Sequence, residues 1–508
     1  MKLAVLCSLL FSILHSVLFY GQKWGISIFL FILVGLFFFI LVLQKKEKIK
    51  NRKALFLSVP ILIISSTYFI FNNAFFNFFN MVAILLLFAI MAISTLAGEF
   101  KIGQLIQNLF ILYFGPIEEM GESAREISHC FSEKPQNENK KNKLGNKILK
   151  GVLCSLPILI LVIILLVSAD EMFASIFNNI FKNLIRFVNL KTIYSFLFRI
   201  LLIVVLTLYF IGIFIKIKNN QLKDEEIKSK NKLKIEVVTL NTLLTLLNIV
   251  YLIFSAMQGI YLIKQIGGGS NLNYAHYART GFFQLMAVSI INFVVLFLCK
   301  NNKKETSNIA KKYVKVMNVL LALFTIIILV SSVIRMHLYE KEYGYTFLRI
   351  MVYFIQITEL ILILPTIVYI IKEKFPILKW YMAITICMYI IINFANIDFI
   401  IAKGNIDRYF SATDEEKQKI DFSYLKTKTG TDALPEIARL LETDDNLLKA
   451  KVNNYLLEKY EDLKKEKGSF QEFNISKERA KKELEKLNLS YIGANKEYDL
   501  EYRPNKRI

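Results

Sequence analysis

Apolar runs close to twenty residues long recur from Leu3 to Ile401. Such a run crosses the roughly 30 Å of bilayer hydrocarbon as one helix. Lipid offers no partner to a free backbone N–H or C=O, so these runs must be helical. Composition agrees: of 508 residues, 55% are hydrophobic and only 20% charged. A soluble domain holds about 45–50% apolar and about 25% charged residues. Disordered, fibrous and disulfide-stapled classes are excluded. The five cysteines, Cys7, Cys130, Cys154, Cys299 and Cys387, show no CxxC pair and read as small packing residues.

Eleven spans are read: Leu3–Tyr20, Gly25–Leu43, Ala54–Phe71, Phe78–Ala97, Ile148–Ser168, Ile193–Ile215, Val237–Ile263, Phe282–Cys299, Val314–Ile334, Phe347–Ile371 and Ile377–Ile401. The first pair is joined by a tight turn at Gly21-Gln22-Lys23 and reads as a retained hairpin, not a cleaved leader. Leu105–Phe114 and Met172–Val188 mix apolar and polar residues and read as helices lying in the interface.

The charge is +22, from 63 Lys and Arg against 41 Asp and Glu. From Lys403 onward the balance is 22 basic to 21 acidic residues, leaving 41 to 20 among the spans. That distribution speaks against nucleic acid as a partner and for short basic cytoplasmic loops. Lys45, Lys46, Lys48, Lys50, Arg52 and Lys53 follow span two, and Lys303, Lys304, Lys311, Lys312 and Lys315 precede span nine. The alternate loops are poorer: Lys23 alone in the first, no basic residue between spans three and four, Lys264 and Arg279 between seven and eight. The N-terminus is therefore expected inside and, with an odd span count, the C-terminal segment outside. The expected fold is an all-α polytopic bundle of about 11 spans with a small C-terminal helical extracytoplasmic domain. Its divisions are residues 1–147 (four spans and a cytoplasmic loop), 148–402 (seven spans) and 403–508 (the outer domain). In the last, Ala433–Leu441, Leu447–Leu463 and Lys477–Leu487 show helical spacing, with an Asp (Asp432) or a Thr as a cap and Pro435 in the first turn.

The most unusual residues sit at the outer span ends. Arg349, Tyr353, Gln356 and Glu359 are spaced by four, three and three, one stripe of span ten. An ionised carboxylate within the hydrocarbon is disfavoured, so Glu359 is expected to be neutral, hydrated, or partnered by Arg279, Arg335, Tyr277 or Tyr343. Asp170, Tyr277, Arg279, Arg335, Tyr339, Tyr343, Arg349, Gln356 and Glu359 form the candidate polar site: either an outward cavity for an anionic or sugar-like group, or an interhelical network fixing register. His15, Asn241, Asn248 and Asn292 read as interhelical hydrogen-bonding residues. Gly267-Gly268-Gly269-Ser270 lacks the Lys-Ser/Thr of a phosphate loop, and His15, His129, His276 and His337 have no metal-ligand spacing. No catalytic motif is found, and no cofactor or metal is expected.

Five stretches carry a family resemblance: Ser168–Ala174, Tyr277–Leu285, Arg335–Thr346, the run from Asn396-Ile397-Asp398 to Asn405-Ile406-Asp407-Arg408, and Asp421–Leu441. Together they resemble bacterial multi-spanning proteins that share domain of unknown function 4173, with 4153 as a sibling group, over about residues 150–440. The resemblance implies a bacterial plasma-membrane protein and no activity. The leading expectation is a non-enzymatic envelope scaffold, sensor or partner protein, in contact with the bilayer and a membrane or cell-envelope protein. The alternatives are a transporter or flippase, and a membrane-embedded transferase acting on a lipid-linked substrate at the outer face.

Overall fold

In a computed structural model, residues 2–45, 49–97, 102–132, 190–218, 237–266, 281–301, 308–372, 374–412, 420–466 and 468–492 are described, with Val162, Asp170 and Met172 besides. The secondary structure among them is helical throughout, and ten helices are long and apolar enough to cross a membrane. The expected spans at Ile148–Ser168, the interfacial stretch Met172–Val188 and the Gly267–Ser270 run lie, but for Val162 and Met172, outside the described residues.

The chain divides into two compact units. The first holds α1 (Lys2–Phe19), α2 (Ile26–Lys45), α3 (Ser58–Ile70), most of α4 (Ala74–Ala97), α5 (Ile102–Tyr113), α6 (Gly115–Glu118), α7 (Met120–Ser132) and α8 (Leu190–Lys218), together with residues Gly468–Asn474. Phe11 of α1 stacks on Phe31 of α2 with centroids 4.1 Å apart. The Arg199 Nε of α8 donates to Ser16 Oγ of α1 at 2.6 Å. At the other end of α8, Lys216 reaches Glu118 at 3.2 Å and Glu119 at 2.9 Å. The hydrogen bond from Lys216 holds the Glu119 carboxyl below its usual range.

The second unit holds Phe71–Asn77, α9 (Val237–Ile266), α10 (Phe282–Asn301), α11 (Asn308–Tyr343), α12 (Phe347–Ile371), α13 (Ile377–Phe394), α14 (Ile397–Ser411), α15 (Phe422–Lys428), α16 (Leu434–Ile437), α17 (Asn446–Lys465) and α18 (Ile475–Glu485). Helices α9 to α12 close over Leu240, Leu244, Leu296, Leu321 and Ile363. Asn248 Nδ2 donates to Met317 O at 3.1 Å, and Asn292 Nδ2 to Thr325 Oγ1 at 2.9 Å, as expected of both. His15 packs its ring on Phe19 and Phe31 instead, and the Asn241 side-chain oxygen is buried without a hydrogen bond.

Two boundaries differ from the sequence reading. Arg335–Tyr343, read as a loop, continues α11, because nothing before Gly344 breaks the helix. A helix of 36 residues is about 54 Å long, well beyond the hydrocarbon thickness. Gly344 ends it with φ +77°, a conformation that a side chain disfavours. The last apolar run, read as Ile377–Ile401, is broken at Asn396, which takes the left-handed conformation (φ 49°) and caps α14 by accepting from Phe399 N. Helix α14 therefore starts inside that run. Its Ile397, Ile401, Ala402 and Ile406 join Leu425, Leu434, Ile437, Leu440, Val452, Leu456 and Leu484 in one buried core.

Candidate functional site

The stripe on α12 is occupied at each turn. Arg349 lies over the Tyr339 ring at 4.4 Å and donates to Tyr343 O at 2.8 Å and to Gly344 O, closing the sharp bend between α11 and α12. One turn on, Tyr353 Oη donates to Glu340 Oε2 at 3.1 Å. Gln356, fully buried, donates through Nε2 to Ser332 Oγ at 2.7 Å, and Ser332 Oγ donates to Phe282 O at 3.1 Å. Glu359 accepts from Ser289 Oγ at 2.6 Å. The stripe thus meets α11 in its N-terminal half and α10 farther along α12.

For Arg335 and Tyr343, this geometry corrects the expected pairing with Glu359. Glu359 lies about 15 Å along α12 from Arg349, and Ser289 lies about 10 Å along α10 from Phe282, so both sit well inside their spans. Arg335 donates instead to Gln258 Oε1 of α9 at 3.2 Å, beside Ser331 Oγ at 2.7 Å on the same oxygen. Tyr343 lies under Arg349 at 5.8 Å. Tyr277 and Arg279 lie outside the described residues, and Asp170 is an exposed non-helical residue of the first unit. A lone Ser in an apolar run carries no sequence signal beyond its spacing of three from Asn292.

Because Met286 O, 2.7 Å away, is an alternative acceptor for the Ser289 hydroxyl, the hydroxyl keeps a partner when Glu359 is replaced. Glu359→Gln and Glu359→Leu are therefore expected to change stability by no more than about 1 kcal/mol, the usual worth of an interhelical hydrogen bond in a membrane. Thermal melting in detergent checks this.

A second polar cluster went unrecognised in the sequence. Asp398, on the first turn of α14, accepts from Asn73 Nδ2 at 3.1 Å and from Gly430 N at 2.9 Å, and is buried. Asp432, expected to cap a helix, instead accepts from Asn72 N at 2.9 Å. Asn72 Nδ2 reaches Thr431 Oγ1 at 3.1 Å, which pairs with Ser476 Oγ of α18 at 2.8 Å. Burial, with Asp432 nearby as a second carboxylate, pushes the Asp398 carboxyl up to about 6; burial also raises Asp432. The hints in the sequence were the two motif stretches that hold Asp398 and Asp432, an Asn pair in the short α3–α4 turn and an Asp interrupting an apolar run.

Further bonds extend this joint. Asn405 of α14 pairs with both backbone groups of Tyr345, accepting from its N and donating to its O, each at 2.9 Å. Tyr424 Oη of α15 accepts from Phe347 N at 2.8 Å. Arg408 Nη2 donates to Glu342 O at 2.7 Å, and Arg439 bridges Asp407 at 2.7 Å and Glu436 at 2.8 Å. The turns before α4 and α12 are thus stitched to α14, α15 and the Thr431–Ala433 turn. What this arrangement does chemically is hold backbone and side chains in register. Among the described residues no cluster of His, Cys, Asp and Glu suits a metal ion.

Against known protein families, residues 58–440 match a domain of unknown function, DUF4153. This is the group given above as the sibling, and the match begins at α3, ahead of the residue 150 expected from the motifs. No curated protein and no solved structure matches the chain. The matched stretch spans most of the chain and contains Asn72, Glu359, Asp398 and Asp432, so the chain belongs to the DUF4153 family.

Proposed function

We propose that this is a multi-pass protein of a bacterial plasma membrane, with its N-terminus cytoplasmic, that acts without catalysis as an envelope scaffold or sensor. Its C-terminal helices present a fixed surface to a membrane or envelope protein. The observation that carries this reading is the use made of the motif residues. Asp398, Asn405 and Arg408, with the Glu340 and Glu342 carbonyls of the Arg335–Thr346 stretch and Tyr424 and Asp432 of Asp421–Leu441, all hold the joint between span ends and C-terminal helices. Segments that serve an enzyme would be expected to leave polar groups facing a substrate.

Topology supports the same reading. The α3–α4 turn and the α11–α12 turn both bond to the C-terminal helices, so they share one side of the membrane. An even number of crossings must then separate them. The described helices α4, α8, α9, α10 and α11 supply five, and the sequence offers a sixth in the apolar run Ile148–Ser168. Both turns belong to the loops poor in Lys and Arg, which supports an outer position for the C-terminal helices.

A photo-crosslinking residue placed at the exposed Lys451 or Glu458 of α17, in native membranes, tests the scaffold. One discrete crosslinked protein is expected; a smear of unrelated products, or none, would refute it. The transporter reading is favoured by one feature, the intramembrane carboxyl of Glu359. If Glu359→Gln abolishes function at normal expression and melting temperature, that reading replaces the scaffold.

A further inference from the structure

Between α17 and α18 the chain passes through Ser469-Phe470-Gln471-Glu472-Phe473-Asn474, and this stretch is fastened to the first unit. Ile26 N donates to Phe473 O at 3.1 Å, and Lys23 N to Glu472 Oε1 at 2.9 Å. Ser469 Oγ donates to Gln22 Oε1 at 2.9 Å, Asn474 Nδ2 to Tyr68 O at 3.0 Å, and Gln471 Nε2 to Val17 O at 3.4 Å. Gly25 permits the approach: a Cβ there would stand 2.6 Å from the carbonyl carbon of Glu472.

Although its backbone is held, the loop turns its rings outward. Phe470 is 59% exposed and Phe473 44%, while Trp24 in the adjoining turn is 52% exposed. Bare apolar area costs free energy in water in proportion to its extent, so an ordered surface of three rings calls for a cover. Continuity identifies it. Leu6, Leu10, Ile13 and Val17 are exposed along α1 at spacings of four, three and four, one face of a membrane-crossing helix. That face meets lipid, and the bond from Gln471 falls on Val17, its last member. The α1–α2 turn joins two spans, so it lies at the membrane boundary, the depth at which Trp collects.

We propose that Phe470, Phe473 and Trp24 form an aromatic wedge that enters the headgroup–acyl boundary of the bilayer and seats the α17–α18 loop on the lipid surface. The lipid is recognised by apolar area and ring amphipathicity at that depth, without a headgroup-specific pocket. The seat does not depend on whether the protein is a scaffold or a transporter.

The chain has two tryptophans, so Trp380→Phe leaves Trp24 as the sole reporter. Adding Trp24→Phe and Phe470→Trp moves the reporter to the loop. The full chain is reconstituted in phosphatidylcholine–phosphatidylglycerol nanodiscs with acyl chains brominated near the glycerol end or near the methyl end. Both reporters should be quenched about twofold or more by the shallow bromines, less by the deep ones and little by aqueous acrylamide, as expected of side chains at the interface. Strong acrylamide quenching without lipid quenching would overturn the proposal, as the rings would face water. Insensitivity to all three quenchers would overturn it in favour of a protein cover, either a partner or a second copy. Gly25→Val, which forces the loop away, should reduce lipid quenching at Phe470→Trp with the melting temperature of the bundle retained; unchanged quenching would contradict the seat.

Discussion

Ile437→Asp should release the C-terminal helices while the membrane bundle of α9 to α12 stays folded. Ile437 is fully buried among Ile401, Ile406, Leu434, Leu440, Leu456 and Leu484. A carboxylate there has no cationic partner among the core's apolar side chains, and it loses the packing of an isoleucine. Truncation alone, in Ile437→Ala, is worth about 2–5 kcal/mol. The unpaired charge adds several more, comparable to the whole stability of a small domain, about 5–15 kcal/mol. Limited trypsinolysis of membranes should cut α17 near Lys449–Lys465 in the variant and spare it in the parent. The same core explains why a fragment starting at Lys403 should melt without cooperativity, whereas one starting at Ala395 should keep a cooperative helical melt. The shorter piece lacks Ile397, Ile401 and Ala402.

The second large effect is pH dependence at the joint. Asp398 titrates near pH 6 in the folded chain, against about 4 for an ordinary Asp. A raised carboxyl favours the folded state in its protonated form. Its contribution is therefore complete below about pH 4 and is lost as pH rises through 6, to the extent of about 2–3 kcal/mol. The groups around it act in the same sense or weakly against it. Asp432 faces it as a second raised carboxylate, the Asn73 amide and Gly430 N–H stabilise its charge, and Arg479 offsets Asp432 while Tyr424 lies nearby. The parent should thus lose stability from pH 5 to pH 7.5 relative to Asp398→Asn. The variant should melt higher at pH 7.5 and level with the parent at pH 4.5, where the neutral acid and the amide each offer one good acceptor. Parallel melting curves across that range would show that Asp398 is ionised without penalty and would remove the argument.

The bundle was legible because its signal is thermodynamic and local: twenty apolar residues in lipid have one good backbone solution. The C-terminal helices were legible for a related reason, since Leu434, Ile437 and Leu440 repeat at helical spacing wherever the helix packs. The extension of α11 through Arg335–Tyr343 was obscured because charge suggests a loop, while helix continuity depends on the absence of Gly and Pro. The break at Asn396 was hidden in an unbroken apolar run, and only its left-handed conformation marks it. The site was half legible. Periodicity aligned Arg349, Tyr353, Gln356 and Glu359 correctly, but periodicity on one helix is silent about the neighbour, so Ser289 could not be named. The joint of Asn72, Asn73, Asp398 and Asp432 joins residues more than three hundred positions apart, and long-range pairing of that kind leaves no local pattern.

The joint can be measured by distance. In a chain with Cys7, Cys130, Cys154, Cys299 and Cys387 replaced by serine or alanine, Asn72→Cys and Thr431→Cys introduce one thiol on each side of it, where the native side chains lie 3.1 Å apart. A short bismaleimide added to intact membranes should join them rapidly and nearly completely, and protease cleavage between the two positions should then leave the fragments linked. If each single cysteine reacts with a monofunctional maleimide but the pair does not crosslink, the C-terminal helices are not clasped to the α3–α4 turn, and the account of this protein as a rigidly presented outer surface is wrong.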